Sequence, residues 1–121
     1  MSKSLRSNRI AAARRQSNRC YYCGVQMWEH SPPRTLVQIA KSAEKTDRLR
    51  CTAEHLRPRS EGGKNTACNI VAACAFCNRT RHRAKRPLVP SEYCRYVSSR
   101  MGRGRWHPEW VHRYAAAFTL E

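Results

Sequence analysis

The chain has 121 residues, with 24 Lys and Arg against 8 Asp and Glu, a formal net charge of +16. That length fits one domain and leaves no room for a second core of useful size. The charge excess calls for a polyanionic partner, since cations that neutralise phosphates release condensed counterions. A membrane is set aside: no stretch approaches the roughly 18 apolar residues of a spanning helix, and no basic helix carries an aromatic apolar face. Nucleic acid is therefore the expected partner.

Seven cysteines, Cys20, Cys23, Cys51, Cys68, Cys74, Cys77 and Cys94, make an odd count. With no hydrophobic signal sequence at the N-terminus, the expectation is a reducing, cytoplasmic setting. There, clustered cysteines mean metal more often than disulfides.

Taken in chain order, residues 1–19 are expected to form a basic N-terminal arm or helix. They carry six basic residues and no acid, with helical character from Ile10 to Arg15 around an Ala run. The same composition also fits a mitochondrial presequence; the arm lying on DNA is the adopted reading. A Cys-Tyr-Tyr-Cys-Gly knuckle follows at 20–24. After the Ser31-Pro32-Pro33 turn, Leu36, Ile39, Ala40 and Ala43 recur at helical spacing, which predicts an inserted helix near 35–45. Arg48 to Leu56 reads as a short strand, and Glu61-Gly62-Gly63 with Lys64-Asn65-Thr66 as a loop. Asn69 to about Lys85 suits a strand or turn, a second cysteine knuckle and a helix, interrupted by Pro87 and Pro90. Ser91 to Met101 predicts another helix with Ser91 as N-cap. A last helix is expected from near Pro108, with Trp110, Val111, Tyr114 and Phe118 on one face. The domain reading is then an arm at 1–19, a core at 20–86 and a helical extension at 87–121.

Cys20-x-x-Cys23 and Cys74-x-x-Cys77 supply four thiolates in two tight pairs, as a closed tetrahedral structural zinc requires. Such a staple also offsets the thin core of a domain this small. Cys51, Cys68 and Cys94 are left over and read as small buried thiols.

The most informative run is Thr52-Ala53-Glu54-His55-Leu56-Arg57-Pro58-Arg59-Ser60-Glu61-Gly62-Gly63, continuing through Asn69 and Cys74-Ala75-Phe76-Cys77-Asn78. It resembles the HNH endonuclease motif: an acidic residue plus His, a Pro-Arg-Ser-x-Gly-Gly-like loop, a central Asn, and CxxC followed by His or Asn. The resemblance covers roughly residues 20–85. It implies an α+β fold, a small ββα-metal (treble-clef-like) core with a zinc staple and flanking helices. The implied activity is phosphodiester hydrolysis of DNA with low sequence specificity, with RNA left open as a substrate.

That chemistry needs a deprotonated water, a cation on the phosphoryl oxygens and a stabilised leaving oxygen. Imidazole titrates close to neutrality and can take the water's proton. A carboxylate offers a hard oxygen to Mg²⁺ or Mn²⁺. The resemblance implies that His55 is the general base, Glu54 a ligand of the catalytic cation and Asn78 the second ligand. His82, four residues on and so on the same helical face, is a weaker third. Asn69 is implied to brace the loop that holds His55. Adjacent strand residues point to opposite faces, so Glu54 and His55 share a site only if the strand ends or bends there. Most relatives carry Asp at the position of Glu54. Arg57, Arg59, Arg79, Arg81, Arg83, Lys85 and Arg86 are the expected DNA contacts, positioning the phosphate backbone with little sequence information. The alternative reading is a non-catalytic zinc-dependent DNA-binding module.

Overall fold

The computed structural model describes residues 3–119 of the chain. Two strands, β1 (Cys51–His55) and β2 (Ile70–Cys74), form an antiparallel pair running from Cys51 opposite Cys74 to His55 opposite Ile70. Helix α3 (Ala75–Arg83) leaves directly from β2 and packs back onto both strands, completing a ββα unit. The other helices are α1 (Lys3–Arg15), α2 (Arg34–Ala40), α4 (Pro90–Gly102) and α5 (Glu109–Thr119). A short 3₁₀ turn, Lys45–Leu49, leads into β1. The fold is the small α+β arrangement expected. Among the described residues no helix is long and apolar enough to cross a membrane.

The sheet is covered on both sides, which explains the composition of β2. Ile70, Ala72, Ala73 and Cys74 are all fully buried, and small side chains let helices approach the strand closely. Helix α1 packs against both strands through Leu5, Arg9, Ala12 and Ala13, spaced to share one face. Just past its end, Gln16 donates through Nε2 to the Ala72 carbonyl at 2.8 Å and accepts from the Ala72 amide at 3.0 Å. The Gln16 amide meets both polar groups of Ala72, which its strand partner leaves free, and the Tyr21 amide donates to the same carbonyl at 2.9 Å.

Several details differ from the sequence expectation. Of the arm or helix expected at 1–19 the structure has the helix, from Lys3, and its Arg9 turns inward onto Glu29 at 2.9 Å instead of facing outward. The inserted helix stops at Ala40, because Lys41 adopts a left-handed conformation (φ 58°), and the chain re-forms as the 3₁₀ turn at Lys45. The first strand is Cys51–His55, not the longer Arg48–Leu56 run. Helix α4 starts one residue early, with Pro90 at its first turn and Val89 as N-cap; proline is pre-set for that position. Cys68 is exposed and Cys94 half-buried, so of the leftover thiols only Cys51 is buried. On α5, Val111 and Tyr114 face the core; the Phe118 side chain lies outside the described residues.

Candidate metal centres and active site

The knuckle at 20–24 is a tight turn in which Gly24 donates to the Cys20 carbonyl and Cys20 to that of Val25. It brings Cys20 and Cys23 against Cys74, the last residue of β2, and Cys77, in the first turn of α3. The four Sγ atoms lie within 4.8 Å of one another, with Cys23 and Cys74 at 4.0 Å. Tetrahedral zinc with bonds of about 2.3 Å places its sulfurs about 3.8 Å apart, so the quartet fits that ion. Backbone amides of Tyr22, Cys23 and Cys74 point at Cys20 Sγ at 3.3–3.5 Å. The Cys77 amide points at Cys74 Sγ, and Trp106 Nε1 donates to Cys77 Sγ at 3.2 Å. These donors suit thiolates.

Electrostatics reinforce the fit. Burial raises the Cys20 thiol, but hydrogen bonds from Cys23, Cys74 and Cys77 reverse this and hold it well below its ordinary value. Contact with Cys20 pushes Cys23 up, and burial pushes Cys77 far up. A bound divalent cation would favour the thiolate form at Cys23 and Cys77, against these upward shifts.

The second cluster forms around Glu54, which faces inward from β1 and is 1% exposed. Its Oε2 accepts from the Tyr22 hydroxyl at 2.9 Å and from Arg81 Nη1 at 3.0 Å. Its Oε1 lies 2.7 Å from His82 Nε2. Two donors this close can act as neighbouring ligands of one hard cation, whose ligand bonds are about 2.1 Å. Asn78, one helical turn before His82, donates from Nδ2 to the Ala53 carbonyl (3.1 Å) and Thr52 Oγ1 (3.0 Å), beside Glu54 on the strand. The structure thus joins Glu54 to His82 directly and places Asn78 on the adjoining strand backbone.

His55, the last residue of β1, turns away from Glu54 toward the loop. Its Nε2 lies 2.7 Å from Asn65 Oδ1. Arg59 Nη2 donates to the same oxygen at 3.2 Å, which assigns it as an acceptor. Arg59 Nε also points at His55 Nε2, at 3.4 Å, so this ring nitrogen lies between Asn65 and Arg59. Asn65 was absent from the residues singled out in the sequence; its only signal there is its place in the polar loop.

Asn69 holds that loop together. Its Oδ1 accepts from the Arg57 amide at 2.8 Å, and its Nδ2 donates to the carbonyls of Arg57 (3.1 Å) and Lys64 (2.9 Å). The same loop turns at Gly62 (φ +87°) and Gly63, where a Cβ would sit 1.7 Å from the Arg57 carbonyl oxygen. Only glycine fits at residue 63 without displacing backbone.

The expected DNA contacts divide. Arg57, Arg59, Arg79, Arg83, Lys85 and Arg86 are exposed. Arg81 is not: it is 3% exposed and committed to Glu54 and to the Leu88 carbonyl. It lies one turn after the buried Cys77 and therefore on the inward face of α3. An open cavity of about 560 Å³ between the His55 loop and the α3–α4 connection is rimmed by Arg57, Lys85 and Arg86.

Residues 42–84 match the model of a family described as HNH endonuclease. The similarity to that family lies in this segment, 43 of the 121 residues. The matched span runs from just before the 3₁₀ turn through α3, and it contains Glu54, His55, Asn69, Asn78, His82 and one cysteine pair. The other pair, Cys20 and Cys23, joins the cysteine quartet from outside that span, and Tyr22 reaches Glu54 from outside it as well. No curated protein and no solved structure matches the chain. The HNH match supports a nuclease-type, nucleic-acid-related function.

Proposed function

We propose that this chain is a metal-dependent HNH endonuclease that hydrolyses DNA phosphodiester bonds with low sequence specificity. The observation that carries the reading is the pairing of two separate devices at the end of β1. His55 is a histidine whose ring is oriented through Nε2 by Asn65 at 2.7 Å, with Arg59 Nε at 3.4 Å. Glu54 and His82 form a donor pair suited to a divalent cation.

In this reading the His55 imidazole takes the proton of the attacking water, and Asn65 orients the ring that does so. Glu54, His82 and Asn78 hold Mg²⁺ or Mn²⁺, which when bound neutralises charge on the phosphoryl group and stabilises the leaving oxygen. Zinc on Cys20, Cys23, Cys74 and Cys77 is structural, because all four ligand positions are protein sulfurs and none is open. Asn69 braces the loop that carries Arg57 and Arg59. Arg57, Lys85 and Arg86, around the cavity next to that loop, contact phosphates together with Arg59, Arg79 and Arg83. The net charge of +16 suits a polyanion of any sequence.

One observation favours a second reading, a zinc-dependent DNA-binding module without catalysis: both oxygens of Glu54 already have protein partners. Supercoiled plasmid incubated with the protein and Mg²⁺ or Mn²⁺ separates the two. Nicking that EDTA abolishes supports the nuclease. Binding that shifts the plasmid without nicking, under either ion, supports the module.

A further inference from the structure

The Glu54 carboxylate is asymmetric in its partners. Both fixed donors, the Tyr22 hydroxyl and Arg81 Nη1, converge on Oε2 at 2.9 and 3.0 Å. Oε1 faces only the His82 side, and the His82 side chain is 34% exposed. One oxygen is therefore held by two fixed donors while the other, also buried, faces the partly exposed His82.

The two donors are themselves immobilised. Tyr22 sits between the zinc cysteines, with its amide on Cys20 Sγ at 3.4 Å. Its ring packs edge-on against Tyr93 at 4.7 Å, and the Tyr93 hydroxyl donates to the Cys77 carbonyl at 2.8 Å. Arg81 is anchored by Nε on the Leu88 carbonyl at 3.0 Å and by Nη1 near the His55 carbonyl at 3.3 Å. A carboxylate oxygen gripped by two rigid donors leaves the group no freedom to rotate.

We propose that Tyr22 and Arg81 are positioning residues for Glu54: they pin Oε2 so that Oε1, beside His82, is the oxygen offered to the divalent cation. This rests on the nuclease reading. It also ties the two metal centres together, since Tyr22 belongs to the zinc knuckle and reaches the second site through a single hydrogen bond. Loss of zinc releases Tyr22 and with it the orientation of Glu54.

The test uses the full-length, zinc-loaded chain and reads Mn²⁺ binding by the electron spin resonance signal of the free ion. Tyr22→Phe removes one hydrogen bond and keeps the ring. It should weaken Mn²⁺ binding about two- to tenfold, as one such bond implies, while zinc content stays at one per chain. Glu54→Asp draws the carboxylate back from both donors and should also weaken Mn²⁺ binding. Adding Tyr22→Phe to Glu54→Asp should then cost nothing further. Unchanged Mn²⁺ affinity in Tyr22→Phe, or losses that multiply in the double variant, overturns the proposal. Zinc lost in parallel with Mn²⁺ also overturns it, because Tyr22 would then serve only the knuckle. A wild-type chain that binds no Mn²⁺ is a different result, and it defeats the nuclease reading itself.

Discussion

His55 Nε2 lies 2.7 Å from Asn65 Oδ1, across a loop of nine intervening residues. The loop's ends are joined at the sheet, where Leu56 donates to the Asn69 carbonyl at 2.9 Å. Asn65 is in turn held by α1, since Asn8 Nδ2 donates to its carbonyl at 2.7 Å. Helix α1 therefore supports the orientation of the imidazole through Asn65. Asn65→Ala should keep the fold and zinc content and lower the cleavage rate about tenfold. That is less than the 10²- to 10⁴-fold a general base supplies in full. Cleavage kinetics at saturating Mg²⁺ check this; a rate equal to wild type would remove Asn65 from the site.

Trp106 reaches the zinc cluster from the segment between α4 and α5 and donates to Cys77 Sγ at 3.2 Å. It sits among Phe76, Tyr93 and Tyr96 in an edge-on aromatic cluster. Trp106→Phe keeps most of that packing and deletes the donor. Zinc affinity, read by competition with a chromophoric chelator, should fall about ten- to a hundredfold. An unaltered affinity would show that the indole contributes packing alone.

His107 is buried and held down at a pKa of about 3, first by burial and then by the Arg48 guanidinium. Arg48 Nε donates to His107 Nδ1 at 2.8 Å, which favours the neutral ring. The unfolded chain protonates this residue near 6.5, so between pH 6.5 and about 3 the unfolded state binds more protons. Stability from this group is complete above pH 6.5 and is lost on acidification, by about 1.4 kcal/mol per pH unit. His107→Gln keeps an acceptor for Arg48 and cannot titrate. Urea unfolding of zinc-saturated protein at pH 7.5 and 5.5 should show a pH loss smaller by about 1 kcal/mol in the variant. Equal losses would contradict the assignment.

Gly63→Ala should be more damaging than its surface position suggests, since the new methyl meets the Arg57 carbonyl. Relieving the clash shifts the loop that carries Arg57 and Arg59 and is braced by Asn69. A cost of about 1–3 kcal/mol in stability is expected, together with a cleavage defect that persists well below the melting temperature. Wild-type activity and melting in this variant would refute the tight-turn account.

Much of this architecture is legible in the sequence because it is local. Each CxxC pair brings its two sulfurs together within one turn, and the His82 position follows from the helical period. What the sequence does not display is long-range pairing. Tyr22 and Glu54 are 32 residues apart, and nothing in a Tyr-Tyr dipeptide says which ring turns inward. Gln16 pairs with Ala72 across 56 residues, so the sequence offers a basic arm or helix at 1–19 without showing that the helix covers the sheet. Arg81 looks like one more surface cation in a basic run. Its interior position follows from spacing, because it stands one turn after a cysteine of the buried quartet, but the charge pattern conceals it.

The most direct test of the central claim sets His55→Ala beside wild type on supercoiled plasmid with Mg²⁺ or Mn²⁺, after both proteins are shown to hold zinc and fold alike. The account predicts that wild type nicks the plasmid and that the variant binds it equally well but cuts at least a hundredfold more slowly. Equal cutting by the two proteins would contradict the role of His55. Binding without cutting by either would mark the chain as a zinc-stapled DNA-binding module.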